Sequence, residues 1–415
     1  MSVEIVSIGT ELLTGLGRNT NAERIIETLD SLGIPVDYIT TVGDDSARLG
    51  EALRVAVHRV PIVITTGGLG PTPDDLTRKT IATVFRRRLV LDETILAMIR
   101  GRFRERGIEM PSINEGQALV PRGAQVIENQ RGTAPGLHFA HLHAEVFVLP
   151  GVPAECEAMM ANYVVPRLKG LGLGSVTGRR IVRTIGLSES LLAERLTGLE
   201  SEGIPLRVGY LPHSNGLDVT LSASGDAAAW ISEALDHAER RVVEAAGAAV
   251  YAHGLQTLAE VVGAALGERG LTVAVAESFT AGAMGTSITS VPGSSRYFLG
   301  GVTAYSNRAK QDLLGVEAAT LERVGAVSAE VAEQMASGAR ARFGADLALS
   351  STGIAGPDGG SPEKPVGLCF LGIASAEGAR SVRHVLGGTR AEIATRATAY
   401  ALDLLRRHLQ GGVRP

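Results

Sequence analysis

The segment 3–68 decides the fold: VEIVSIG (3–9), NAERIIETLDSLG (21–33), VDYITTVGD (36–44), DSARLGEALRVAVHRV (45–60) and PIVITTGG (61–68) alternate short apolar runs with helical patterns. Strands alternating with helices of roughly 10–15 residues are the mark of βαβ units, so a largely parallel sheet with helices on both faces is predicted. Asp45 or Ser46 is a natural N-cap, and Gly33 and Gly43 punctuate the ends. Further on, a helix is expected from about Pro73, strands or extended segments at GTAPGLHF (132–139) and AEVFVLPG (144–151), and a closing helix at 152–168.

Working outward, LKGLGLGSVTG (168–178) is Gly-rich and lacks apolar periodicity, which places a boundary near 170–176. RRIVRTIG, SESLLAERLTGL, LRVGYLP, LDVTLSA and DAAAWISEALDHAERRVVEAAG then read as a β-α-β-β-α module ending near His253-Gly254. From Leu255 a second α/β domain begins, with strands at LTVAVAES, FLGGVTAYS, ADLALSSTG and GLCFLGIAS and a long last helix TRAEIATRATAYALDLLRRHL. The expected domains are 1–170, 176–252 and 255–415. A chain of 415 residues exceeds the roughly 250–300 that one core supports.

Composition excludes several classes. Lys+Arg is 40 against 44 Asp+Glu, a net charge of −4, which argues against a general nucleic-acid binder. Hydrophobic residues at 45% and charged residues at 20% exclude wholesale disorder. Two cysteines, Cys156 and Cys369, are too few for a disulfide framework or a four-thiolate zinc site. The start MSVEIVSIGTELL lacks a basic n-region and reads as a strand, and no run approaches the ~18 apolar residues of a membrane span. A cytoplasmic protein without membrane contact is expected. Only Lys79, Lys169, Lys310 and Lys364 among the 40 basic residues are lysine, so a lysine at a chemically demanding position stands out.

Two loops of the first domain follow predicted strands, where open α/β sheets bind ligands: SIGTELLTGLGRNTN (7–21) and TTGGLGPTPDDLT (65–77). Gly67, Gly68 and Gly70 permit close backbone approach, a helix N-terminus offers N–H groups to a phosphate, and adjacent Asp74 and Asp75 suit a hard cation. The same spacing also fits a tight turn with a capped helix. His138, His141 and His143 alternate faces on a strand without a zinc-like partner spacing, and a polar hairpin is expected there.

In the last domain, ESFTAG (277–282) puts Ser278 at a strand-to-helix turn, where helix N–H groups can form an oxyanion hole. TAYSNRAK (303–310) carries Tyr305 and Lys310, and SSTGIAGPDGG (350–360) is a Gly-rich loop suited to an anion. A lysine with its pKa lowered by burial can activate a serine, and no histidine lies in these segments for a Ser-His-Asp triad. Spacing alone equally allows Ser278 as a helix N-cap and Lys310 as a surface charge.

IGTELLTG…NTN, VGDD (42–45), GGLGPTPDDLT and LPGVPAE (149–155), together with AESFTAG…FLGGVTAYSNRAK…GIAGPDGG…KPVG, closely resemble the CinA family along the whole chain. The resemblance implies a molybdopterin-binding-like three-layer α/β/α domain, a small KH-like α+β module and a C-terminal three-layer α/β/α amidohydrolase domain. It implies a metal-dependent ADP-ribose pyrophosphatase first, with binding by Glu11, Asn21, Gly68, Gly70 and Thr72 and metal ligands Asp44, Asp74 and Asp75. The implied cofactor is a divalent metal, Mg²⁺ or similar, with K⁺ a candidate further ion.

For the last domain it implies deamidation of nicotinamide mononucleotide to nicotinate mononucleotide and ammonia, without cofactor. Ser278, Tyr305 and Lys310 would be catalytic, and Thr280, Gly282, Asn307, Gly353, Ala355, Gly356, Arg390 and Arg396 would bind substrate. Two departures stand out. The family's ESCTGG is ESFTAG here, so Phe279 is expected to narrow the pocket and Ala281 to cost the loop backbone freedom. An arginine expected near 394–395 is replaced by Ala394 and Thr395, with Arg396 the nearest substitute.

The middle module has no GxxG loop of the kind that clamps RNA, so it reads as a spacer or dimer contact in a homodimer without nucleic acid. The rival reading is a non-catalytic nucleotide- or pterin-binding protein acting through partners in competence or DNA-damage responses.

Overall fold

The computed structural model describes residues 2–173, 176–199, 206–213, 216–225 and 227–411. Parts of the readings above fall outside them: Gly174 and Ser175 of the linker, Ser214 and Asn215 after the YLPH strand, Asp226, and the terminal residues Met1 and Gly412–Pro415. By packing the chain divides into two units, one running to Thr177 with Ser224–Ile231 added, the other comprising Gly178–Ala223 and the chain from Ser232 onward.

The first unit is built on strands β1 (Val3–Ile8), β2 (Val36–Val42), β3 (Ile62–Thr66), β4 (Leu89–Leu91), β5 (Leu119–Pro121), β6 (Gln125–Ile127), β7 (Gly136–His141) and β8 (Ala144–Leu149). Its main sheet runs β2-β1-β3-β8-β7-β6, parallel from β2 to β8 and antiparallel through β7 and β6; β4 and β5 form a separate ribbon. Every residue of β1 and β3 is buried, because helices cover both faces. Alternate side chains enter different cores. Val3, Ile5, Ile62 and Ile64 pack with the helix Thr20–Ser31, while Val6, Ile8 and Val63 pack with the helix Ser46–Arg59. Asn19 and Asp45 cap these helices, accepting from Ala22 N and Arg48 N.

Two expectations change here. The helix near Pro73 begins only at Thr77, because the Asp75 carboxylate closes the preceding residues into a loop. The three histidines do lie on a hairpin, but His138 is an inward-facing member: it stacks on Phe147 at 4.4 Å and bonds Glu145 and Tyr163. Among the described residues no group of three His, Cys, Asp or Glu side chains is placed to hold a metal. No helix among them is long and apolar enough to cross a membrane.

The second unit opens within β9 (Val176–Thr184) and continues through a helix Glu189–Arg195, β10 (Leu206–His213), most of β11 (Gly216–Gly225), most of a helix Ala228–Ala246 and β12 (Val250–His253). The sheet order is β10-β11-β9-β12. Sequence reading missed β12, four residues that earn their strand status only by pairing antiparallel with β9. The last sheet comprises β13 (Val273–Glu277), β14 (Phe298–Thr303), β15 (Leu347–Gly353), β16 (Leu368–Ser375) and β17 (Gly378–Val385), in the order β14-β13-β15-β16-β17. Val273 and Val275 face the helices Leu258–Arg269 and Arg390–Leu409; Ala274 and Ala276 face Ala329–Phe343. Ile185 and Tyr251 join the first of these cores, so the β9–β12 module and the last sheet share packing.

β1 lies between β2 and β3, and β13 between β14 and β15, with parallel pairing on both sides. The chain leaves in opposite directions from each pair, and crevices open at such carboxyl ends. One buried charge anchors the first. Glu4, fully buried in β1, is held by Arg59 Nε at 2.8 Å and by Thr40 Oγ1 at 2.6 Å. Arg59→Ala strands that carboxylate and should cost the first unit about 2–3 kcal/mol in urea denaturation; an unchanged midpoint would show the pair to be dispensable.

Candidate active site

β13 delivers Ser278 to the crevice. The last ladder bond, Ser278 N to Ser351 O at 3.0 Å, fixes where the strand ends. The chain then turns through Ala281 at φ +50° and Gly282 at φ +103° into the helix Ala283–Thr289. Glu277 holds this turn. It is 2% exposed, and its carboxylate accepts from Thr280 Oγ1 (2.7 Å), Gly282 N (2.9 Å), Met284 N (3.0 Å) and Gly285 N (2.9 Å). The N–H groups of that helix start are therefore used by Glu277 rather than being open as an oxyanion hole. Those of Phe279 and Thr280 find no acceptor among the described residues.

Lys310 meets Ser278 from the other side of the crevice. Ser306 caps the helix Asn307–Leu314, whose first turn swings Lys310 inward until 1% of it remains exposed. Its Nζ donates to Ser278 Oγ (3.1 Å), Ala304 O (2.9 Å) and Tyr305 O (3.2 Å), and no carboxylate bonds it. Burial lowers its pKa. A neutral amine here can keep both carbonyl bonds and turn its lone pair to the serine hydroxyl. That is the arrangement of a nucleophile with its base.

The remaining predicted residues sort themselves around this pair. Tyr305 touches Lys310 through its main-chain carbonyl; its hydroxyl, on a side chain 61% exposed, accepts instead from Arg390 Nη2 at 2.8 Å. Arg390 Nη1 donates to Gly356 O at 2.8 Å, so Tyr305, Arg390 and the Gly353–Gly356 loop form one rim. Arg396 is turned to Gly387 O. Asn307 is exposed at the first turn of its helix, Ala355 is buried, and Thr280 is bound to Glu277 and to Ser351 Oγ.

Phe279 does not narrow the crevice. Its ring is buried in the core, and a Cβ on Gly353 would stand 2.7 Å from Cys369 Cβ, 2.8 Å from Leu368 O and 2.9 Å from Phe279 Cε1, so that position carries glycine. Glu277 was missed in the sequence; a carboxylate closing an apolar VAVA strand was its only signal.

In the first unit, the loop after β3 is built around Asp75, which accepts from Gly70 N (2.7 Å), Thr72 N (2.8 Å) and Thr72 Oγ1 (2.7 Å). Arg78, also missed, is buried and donates to Leu69 O and Gly70 O at 2.6 and 2.9 Å; burial lowers its pKa to about 10. Gly68 is tight because a Cβ would meet Thr77 Oγ1 at 2.2 Å. Asn21 is buried and donates to Thr66 Oγ1 and Gly151 O, both at 2.8 Å, while its Oδ1 is left without a partner. Glu11 is exposed and folds over Gly9.

The expected metal set is corrected. Asp75 spends its carboxylate on its own loop, Asp44 accepts from Thr10 N and Oγ1 at 2.9 Å, and Asp74 is exposed, so the three do not form one ligand set.

These features define a multidomain α/β protein with a loop site at each of two strand switch points, one holding a buried serine–lysine pair. Three family models match it: "Probable molybdopterin binding domain" over residues 4–170, "Damage-inducible protein CinA KH domain" over 179–252 and "CinA C-terminal domain" over 255–409. It is 42% identical over 413 residues to a CinA-like protein of Gemmatimonas aurantiaca, covering 98% of this chain and 96% of that one. A CinA-like protein of Chlorobaculum tepidum is 45% identical, with 92% and 94% covered. The solved competence/damage inducible protein CihA from Agrobacterium tumefaciens is 40% identical over 37% of this chain and 93% of its own, with a TM-score of 0.35. The chain belongs to the CinA family.

Ala281 occupies the left-handed region without being glycine. Ala281→Gly should therefore stabilise the second unit by about 1 kcal/mol, read as a raised denaturant midpoint. An unchanged or lowered midpoint would show that the turn is unstrained.

Proposed function

We propose that the second unit deamidates nicotinamide mononucleotide to nicotinate mononucleotide and ammonia. The carrying observation is the Lys310 Nζ–Ser278 Oγ bond of 3.1 Å, with the lysine buried and without a carboxylate partner. Neutral Lys310 takes the hydroxyl proton as Ser278 Oγ attacks the carboxamide carbon. The N–H groups of Phe279 and Thr280, without an acceptor among the described residues, are the donors available to the developing oxyanion. Collapse breaks the C–N bond, and the Lys310 proton leaves with ammonia. Water, deprotonated by the same lysine, then cleaves the acyl ester and restores Ser278. Arg390 is the cation of the rim, suited to a phosphate, with Gly353 and Gly356 providing close backbone approach.

Ser278→Ala should reduce ammonia release to background. Lys310→Arg should lose roughly 100-fold or more although charge is kept, because arginine does not give up its proton at working pH. Since the free amine is the active form and burial lowers the Lys310 pKa, kcat/KM should rise with pH and level off below the ordinary lysine value of about 10.4. Substantial activity in Lys310→Arg would remove the lysine from the base role.

For the first unit we infer hydrolysis of ADP-ribose to AMP and ribose 5-phosphate, supported by the Asp75–Arg78 loop at the β1/β3 switch point and by the family. A divalent metal belongs to this reading, although Asp44, Asp74 and Asp75 as arranged do not supply its ligand set, and no step is assigned to it. Chelation should stop AMP release and spare ammonia release. Asp75→Ala, which frees Gly70 and Thr72, should cut AMP release more than about tenfold. AMP release that survives chelation would exclude the metal requirement, and AMP release unchanged in Asp75→Ala would move the site elsewhere. The KH-like module is read as a self-association element.

A further inference from the structure

The second unit contains a cavity of about 700 Å³ beside the serine–lysine site; Thr280 and Gly282 line it, but none of Ser278, Tyr305, Lys310 and Arg390 does. That volume is within the roughly 300–1,000 Å³ of small-molecule pockets. One wall comes from the KH-like module, with Tyr251 of β12 and Ile185 after β9; Leu258 and Leu402 complete an apolar floor. The opposite wall is the turn Thr280–Ala283 and the helix that follows it.

Polar groups in the lining are of two kinds. Both cationic side chains are already engaged: Arg183 pairs with Asp218 at 3.1 Å and donates to Leu255 O and Gln256 O, and His213 meets the same Asp218 at 3.2 Å. Thr395 and Thr398 bond their own helix. The hydroxyls of Tyr251, Thr286 and Ser287, in contrast, have no bond to any described residue. The cavity thus offers an apolar floor, an aromatic ring and a set of hydroxyls, with its charges paired within the protein.

We propose that this cavity binds a neutral ribonucleoside. The heteroaromatic base lies on the floor beside Tyr251, and the ribose hydroxyls exchange hydrogen bonds with Tyr251, Thr286 and Ser287. A phosphate is disfavoured, because burying one without a spare cation leaves its charge uncompensated. The occupant sits against the turn that carries Ser278.

The native cysteines make a site-specific test available. Cys156 and Cys369 are both buried, and burial pushes their thiols up to about 11 and about 12. Ser290→Cys, at an exposed position of the cavity lining, therefore supplies the reactive thiol, and alkylation by N-ethylmaleimide reads occupancy of this cavity rather than of any nucleotide site in the first unit. Saturating adenosine should slow that alkylation at least fivefold, AMP should slow it less, and an Ala341→Cys control on the exposed face of another helix should be unaffected. Ala283→Cys serves if Ser290→Cys does not fold. No slowing at millimolar adenosine, equal slowing at the control, or protection by AMP matching that by adenosine would each overturn the proposal.

Discussion

The Glu277 carboxylate is the contact on which the serine site rests. A carboxylate this deeply buried is costly unless every oxygen is satisfied. Glu277 meets that condition by accepting from one hydroxyl and three consecutive-turn N–H groups, which are the groups a helix start leaves unpaired. The reach from strand end to helix start requires a left-handed turn, and Ala281 and Gly282 supply it. Ser278 is therefore held by a strand bond on one side and by this clamp on the other. Its position is a consequence of a buried charge finding donors.

The same physics recurs in the first unit with the residues exchanged. There the loop after the central strand pair is closed by Asp75 from below its N–H groups and by Arg78 on its carbonyls. In both units a loop of small residues is too polar to pack by apolar contact, so a charged side chain organises it from within. That leaves fewer free backbone donors than a Gly-rich sequence implies. The N–H groups of Gly70 and Thr72 are already bound to Asp75.

What the sequence disclosed follows from period and composition. Two-sided strands such as VEIVSI and LTVAVA read plainly because helices bury both faces, and the helices between them carry good caps. The Ser278, Lys310 and Arg390 positions were legible through motif resemblance. Glu277 and Arg78 were not, and neither were three further features. β12 exists through its partner β9, a contact far apart in sequence. Phe279 beside Ser278 suggested obstruction, yet its ring packs into the core, a contact set by residues far apart in sequence. Asp74 and Asp75 looked equivalent, but only the fold distinguishes a loop clamp from an exposed carboxylate.

Rarity of lysine in this chain pointed to Lys310, but rarity alone would have chosen Lys364 equally. The comparison between them isolates what matters. Lys364 Nζ donates to Val324 O and Val327 O at 2.7 and 2.8 Å, an ammonium tying a loop to carbonyls at the edge of solvent. Lys310 makes two carbonyl bonds of the same kind, but it is buried and its third contact is a hydroxyl. Two carbonyls satisfy the two N–H bonds of a neutral amine and leave its lone pair for Ser278. A guanidinium in that space would bring five donors and a charge that burial cannot remove, with only two carbonyls and one hydroxyl to receive them. In a chain that writes all but four of its 40 basic side chains as arginine, the position is one where a removable proton, rather than a positive charge, is what the geometry accommodates.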